Sequence, residues 1–373
     1  MFRHVARAAF SSAFSCSASR VGSRAAFCAL PEGGFARAQP STSGLSGAFS
    51  SITEEELFLF DLEGYLVVKN VFSKEEIAAA NAAVDKRKDE MVERHGPLRN
   101  SKDGTFLAGD GKTGRSDLAG MLGWDEGDRD LFRDMLCHPK MVPYYHAFCG
   151  EGYRLDHLPL LISQRTGSEG FTLHGGPLDE KGAPNFFLTY HGGSGVVRTS
   201  LLAASVQLTD TGPGDGGFCV LRGSHKANFR VPDAIAHGDA AFRDRLHQPV
   251  AEAGDVVLFS ECTSHGTMPW TSTSERRAVL YRFAPSNMAY GRAYTPQWPD
   301  EICDGLTEAQ AAVLEPPYNN RLDRPFLKGV VAADAAEAAQ EDPASAAEIE
   351  VSALSRAELK KNFDKKIFKT GYF

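Results

Sequence analysis

Between residues 153 and 283 the chain is cut into short β-branched or alternating apolar runs: 158–162, 186–190, 200–208, 218–221, 255–259 and 278–283. Gly- and Pro-rich turns separate them. Strands this short, set off by such turns, predict an antiparallel sandwich or barrel. Wholly apolar runs, such as 57–60 and 201–204, fall far short of the roughly 20 residues a membrane helix needs, so no membrane span is expected.

The flanks read differently. Thr53 with Glu56 and Ser73 with Glu76 have the spacing of helix capping boxes. Between them residues 64–71 read as a strand, and a helix is expected over 75–93. Residues 101–114 form a polar, Gly-rich loop, and 128–148 reads as helix interrupted at Pro139 and Pro143. After Pro299 the chain becomes helical and polar, with an Ala/Glu/Asp-rich stretch at 332–347 broken by Pro343 and a basic helix candidate at 355–369. The expected organisation is a leader (1–50), a β-rich body with N-terminal helices (51–300) and a helical, partly low-complexity extension (301–373).

Charge separates the leader from the body. Residues 1–50 hold five Arg and the single acid Glu32. Setting these aside from 40 basic and 48 acidic side chains leaves 35 against 47, a net of −12 for residues 51–373. An acidic body argues against nucleic acid as the main partner. The Arg-, Ser- and Ala-rich leader has no continuous apolar stretch as long as the roughly 7–15 residues of a secretory signal, so it predicts a transit peptide instead. A soluble protein of the mitochondrial matrix is expected, with the plastid as alternative. Seven scattered cysteines without a C-x-x-C fit a reducing compartment.

Two histidines sit where packing alone explains them poorly. His174 lies in Leu173-His174-Gly175-Gly176-Pro177 at a strand end. His265 lies in Ser264-His265-Gly266-Thr267, just after the run 255–259. Glycine beside each allows close approach of backbone and ligand. Eleven residues beyond His265 come Arg276 and Arg277, at the mouth of the run 278–283. Two imidazoles on one side of iron(II) leave open positions for substrate and dioxygen, and an Arg on a strand can clamp the far carboxylate of a 2-oxo acid. Ser205 and Gln207 alternate with apolar neighbours and are candidates to face the cosubstrate.

These residues fall within a broader likeness. From about residue 57 to 293 the chain resembles the phytanoyl-CoA dioxygenase (PhyH-like) family of iron(II)/2-oxoglutarate oxygenases. The likeness is carried by the entry 60–68, by the helix end 138–145 before Gly150, and by 208–226 with its Gly223-Ser224-His225-Lys226 turn. The spacing of His265 to Arg276 completes it. The resemblance implies a double-stranded β-helix (jelly roll), mainly β with flanking helices. It also implies His174 and His265 as metal ligands, Arg276 as the 2-oxoglutarate anchor with Arg277 as register alternative, and dioxygen as the oxidant. His225 matches a structural turn, and His191 reads as a surface residue.

One position departs from the family pattern. Where its members carry His-x-Asp or His-x-Glu, this chain has His174-Gly175-Gly176. Three readings follow. Asp179 or Glu180 could replace the missing carboxylate and leave a hydroxylase acting on a small molecule with release of succinate and carbon dioxide. Chloride could fill the vacancy, as in the similar iron/2-oxoglutarate halogenases. Or the site could be degenerate and the chain a jelly-roll binding protein. The first is expected, because His174, His265 and Arg276 all remain. No basic cluster suggests a coenzyme A site, and Gly371-Tyr372-Phe373 is not a peroxisomal address.

Overall fold

The computed structural model describes residues 52–291, 298–317, 326–332, 347–351, 365–367 and 369. The leader and most of the two C-terminal stretches singled out above lie outside these residues. Helix α1 (Glu54–Glu63) opens on the expected box: Thr53 Oγ1 accepts from the Glu56 N–H, and the Glu56 carboxylate accepts from the Thr53 N–H. Gly64, at φ 82°, turns the chain straight into strand β1 (Tyr65–Val68); a Cβ there would collide with Thr263 Oγ1. Helix α2 (Lys74–Asp85) opens on the Ser73–Glu76 box. It stops short of the expected end, where its buried stripe of Ile77, Ala80, Ala83 and Val84 runs out into the charged Lys86-Arg87-Lys88.

After the short strands β2 (Val92–Glu93) and β3 (Ser116–Leu118), the interrupted helix appears as α3 (Asp130–Asp134) and α4 (Val142–Cys149), with Pro143 in the first turn of α4. The remaining body strands are β4 (Arg154–Gln164), β5 (Phe171–His174), β6 (Tyr190–Gly193), β7 (Val196–Thr199), β8 (Leu202–Gln207), β9 (Gly217–Val220), β10 (Val256–Ser260), β11 (His265–Met268) and β12 (Arg276–Ala284). Five of the six predicted runs fall on β4, β8, β9, β10 and β12. The run 186–190 forms no strand before Tyr190, where β6 begins. There the Asn185 side chain accepts from the Phe187 and Leu188 N–H groups and turns the chain, leaving Phe186 and Phe187 exposed.

A large antiparallel sheet runs β1-β10-β8-β12-β4-β3-β2, and a small one runs β5-β11-β9. Together they make the jelly roll. The helices pack against the outer face of the large sheet, where the Phe60 and Phe148 rings stack at 3.8 Å and Tyr281 donates to the Phe132 carbonyl at 2.7 Å. The extension contributes to this same core. Ile302, Val313 and Leu314 come from its helices, and Leu327 and Val330 come from a hairpin of β13 (Leu327–Ala332) and β14 (Ala347–Val351). That hairpin departs from the helical extension the sequence predicts. Its apolar residues are too few to stand out beside the Ala/Glu-rich stretch that interrupts them. Between the large sheet's inner face and the small sheet lies a cavity of about 120 Å³.

Candidate active site

Strands β5 and β11 are antiparallel neighbours in a register that sets His174 directly opposite His265. Facing residues in such a ladder project on the same side, and the two imidazole centroids lie 4.2 Å apart. Strand β10 ends at Ser260, and residues 261–264 carry the chain across from the large sheet to β11 in the small one. Glu261 stands on that crossing. His174, Glu261 and His265 offer ligand atoms all within 4.8 Å of one another, and they form the one metal-capable group of three among the described residues.

Glu261 is shared between two partners. Its Oε1 accepts from Arg282 Nε at 2.5 Å, and its Oε2 lies 3.4 Å from His265 Nε2. Burial pushes its carboxyl up, but Arg282, His265 and His174 outweigh that and hold it at about 2. It is therefore ionised at neutral pH. Burial, reinforced by His174, lowers His265 to about 3, and burial also lowers His174, which opens onto the cleft while protein crowds its ring. Both imidazoles are neutral at neutral pH.

The tautomers are set by the backbone. His174 Nδ1 lies 3.1 Å from the Thr172 carbonyl, and His265 Nδ1 lies 2.7 Å from the Thr263 carbonyl. A carbonyl only accepts, so each Nδ1 carries the proton and each Nε2 keeps its lone pair free for a metal. Two neutral Nε2 donors and one carboxylate fit a divalent first-row cation such as iron(II) and leave room for other ligands.

The inner cavity supplies the second half of the site. Strand β12 alternates, so Arg276, Ala278, Leu280 and Arg282 face the cavity. Arg277 faces the other way and pairs with Asp85 at 2.7 Å and Glu275 at 2.9 Å. Arg276 is buried. Its guanidinium donates to Gln164 Oε1 at 3.1 Å, and its Nε has no partner. Burial and the neighbouring Arg115 cation lower it to about 10, still fully charged at neutral pH. A buried, charged guanidinium without a carboxylate is costly, and a dianionic cosubstrate in this cavity would satisfy it. Gly217, at φ 77°, makes room for it, since a Cβ there would sit 2.6 Å from Arg276 Nε. Ser205 lines the cavity. Gln207 is set back, donating to Ser205 Oγ at 3.0 Å and to the Ser205 carbonyl at 2.9 Å.

The remaining sequence candidates fall elsewhere. Asp179 and Glu180 are exposed on the outer loop and are not members of the His174–Glu261–His265 group. Asp179 Oδ1 accepts from the Lys181 and Ala183 N–H groups, which ties it to its own turn. His191 is exposed on β6. His225 donates through Nε2 to the Asp61 carbonyl at 2.8 Å, a structural role. Sequence reasoning missed Glu261 because it sought the substitute carboxylate near His174. The usable signal was the acid that directly follows strand β10, four residues before His265. An outer cleft of about 460 Å³ opens over the group, and His174 and Glu261 both line it.

The chain matches the family described as phytanoyl-CoA dioxygenase (PhyH) over residues 60–278, more than half its length. It is similar to the ectoine dioxygenase of Stutzerimonas stutzeri (strain A1501), at 22% identity over 271 residues covering 66% of this chain and 82% of the relative. It is also similar to the ectoine dioxygenase of Bordetella parapertussis (strain 12822), at 23% identity over 267 residues covering 63% and 77%. Among solved structures it is similar to HygX from Streptomyces hygroscopicus with nickel and 2-oxoglutarate bound, with a TM-score of 0.50 and 21% identity over 64% of this chain and 90% of that one. This last likeness bears on the fold. No helix among the described residues is long and apolar enough to cross a membrane.

Proposed function

The chain belongs to the phytanoyl-CoA dioxygenase (PhyH) family of iron(II)/2-oxoglutarate oxygenases, and we propose that it hydroxylates an unactivated C–H bond of a small molecule with His174, His265 and Glu261 as the metal ligands. The observation that carries this reading is the convergence of one ionised carboxylate with two Nδ1-protonated imidazoles within 4.8 Å. Iron(II) and 2-oxoglutarate together supply oxidation of the C–H bond by dioxygen, with succinate and carbon dioxide as by-products.

The chain's own residues bind, orient and shield. Arg276 takes the distal carboxylate of 2-oxoglutarate, with Ser205 lining the same chamber and Gln207 steadying Ser205. Phe171, Phe218 and Phe259 give that chamber apolar walls that exclude water. Arg282 occupies one oxygen of Glu261 and leaves the other facing the histidines. Glu261 also removes the premise of a halide-filled vacancy at Gly176, and the two similar curated proteins are dioxygenases. We further assign residues 1–50 as an organelle presequence, mitochondrial by composition. Targeting of a fluorescent protein by residues 1–50 tests it, and a diffuse cytosolic signal would overturn it.

The test of the site is an anaerobic iron(II) titration with 2-oxoglutarate, followed by visible absorption. A metal-to-ligand charge-transfer band is expected in the parent protein and in Asp179→Ala and Glu180→Ala, and its loss is expected in His174→Ala, His265→Ala and Glu261→Ala. A band that survives in Glu261→Ala but disappears in Asp179→Ala or Glu180→Ala would return the carboxylate to the outer loop.

A further inference from the structure

The two chambers that meet at His174 differ in charge. The inner one is cationic: Arg282 is neutralised by Glu261 and Arg115 by Asp117, while Arg276 has no acid beside it. The outer cleft is anionic. Its one Arg, Arg230, pairs with Asp233 at 2.7 Å, and Glu261 is held by Arg282. Asp179 and Glu180 line the same cleft with no basic partner among the described residues. Phe229, 84% exposed, also lines it. On the cleft wall Ser264 is 1% exposed, and its Oγ is buried without a hydrogen-bond partner. A buried hydroxyl left unpaired beside a cavity points to a ligand that completes it.

We propose that the outer cleft takes a small molecule bearing a protonated amine, held by Asp179 and Glu180 with its apolar part against Phe229, and a polar group bonded to Ser264. This inference rests on the oxygenase reading of the same site. Charge sorts the two reactants: the dianionic cosubstrate is favoured inside and disfavoured in the cleft, and a cationic substrate the reverse. The same rim disfavours a polyanionic acyl-coenzyme A, for which the cleft provides no unpaired cation among its described residues.

Tyramine, tyrosol and 4-hydroxyphenylacetate share a skeleton and a phenol hydroxyl and carry charges of +1, 0 and −1, so they serve as probes. Binding is read by ligand-observed NMR on the full chain, both metal-free and loaded with Ni(II) and 2-oxoglutarate. Tyramine is expected to bind about tenfold more tightly than 4-hydroxyphenylacetate at low salt. The preference should vanish in Asp179→Asn/Glu180→Gln, a double substitution whose new amide at position 179 keeps an oxygen to accept from the Lys181 and Ala183 N–H groups. Ser264→Ala is expected to weaken all three probes by a similar factor. Equal or weaker binding of tyramine, or a preference untouched by the double substitution, would overturn the proposal. Ni(II) affinity is measured separately by calorimetry, so loss of metal binding counts against the oxygenase reading, while the charge preference is still read on metal-free protein.

Discussion

Glu261 divides its carboxylate between Arg282, at 2.5 Å from Oε1, and the His265 imidazole, at 3.4 Å from Oε2. One oxygen is thus fixed by a strand of the large sheet while the other faces two histidines of the small one. The pair bridges the jelly roll at the point where the reaction is proposed to occur.

Arg282 is therefore a positioning residue for Glu261. Arg282→Met frees the carboxylate to rotate and leaves it without its principal counter-charge. Cobalt(II) affinity is expected to fall about 10- to 100-fold, the usual effect of losing a group that orients a ligand, with partial recovery in Arg282→Lys. Titration of the cobalt d–d bands checks it. Unchanged affinity in Arg282→Met would separate Arg282 from the metal site.

Arg276 and Arg277 are adjacent in sequence but lie on opposite faces of β12, so their substitutions should part company. Arg276→Gln is expected to raise the KM for 2-oxoglutarate by about 10- to 100-fold, the value of a charge-assisted bond, with metal affinity retained. Arg277→Gln breaks the pairs with Asp85 and Glu275 and should cost about 1 kcal/mol of stability with KM unchanged. Steady-state kinetics and thermal melts on both variants distinguish the roles, and equal KM effects would contradict the alternation.

Gly217 carries a prediction of its own. Its φ of 77° disfavours a side chain, and a Cβ would meet Arg276 Nε at 2.6 Å. Gly217→Ala should cost about 1–2 kcal/mol through backbone strain and should also weaken 2-oxoglutarate binding by displacing the guanidinium. A melt combined with a cosubstrate titration reads both. A stability loss without any change in affinity would show that Arg276 moves aside freely.

Asp156 ties the segment bearing Tyr290, which lines the outer cleft, to β4. Fully buried, it accepts from the Tyr290 and Gly291 N–H groups and lies 2.8 Å from His157 Nδ1. Burial pushes its carboxyl up, but these bonds outweigh that and hold it at about 2, below the ordinary 3.8. Its folded-state value is depressed, so its contribution is complete above about pH 4 and is lost as pH falls towards 2. That contribution is on the order of 2 kcal/mol. Denaturation curves between pH 2 and 6 should therefore be flatter in Asp156→Asn than in the parent protein, and parallel curves would refute the assignment.

The sequence by itself determined most strands of the large sheet and the two capping boxes, and it singled out His174, His265 and the adjacent Arg276 and Arg277 as candidates. These rest on local signals: period-two alternation, cap spacing, and glycine beside a polar residue at a strand end. Tertiary structure decided the rest. The 186–190 run yielded to an Asn185 turn, and the C-terminal hairpin formed across a low-complexity stretch, because strand pairing depends on what neighbour is available. Side-chain alternation, fixed once β12 had found its register, separated Arg276 from Arg277. Glu261 shows the limit most plainly. It is 87 residues from His174 in sequence, and only the register of β5 against β11, with the crossing from β10, brings the two together. A ligand set is a property of three-dimensional distance, and the first acids that follow His174 along the chain, Asp179 and Glu180, were ones the structure turned outward.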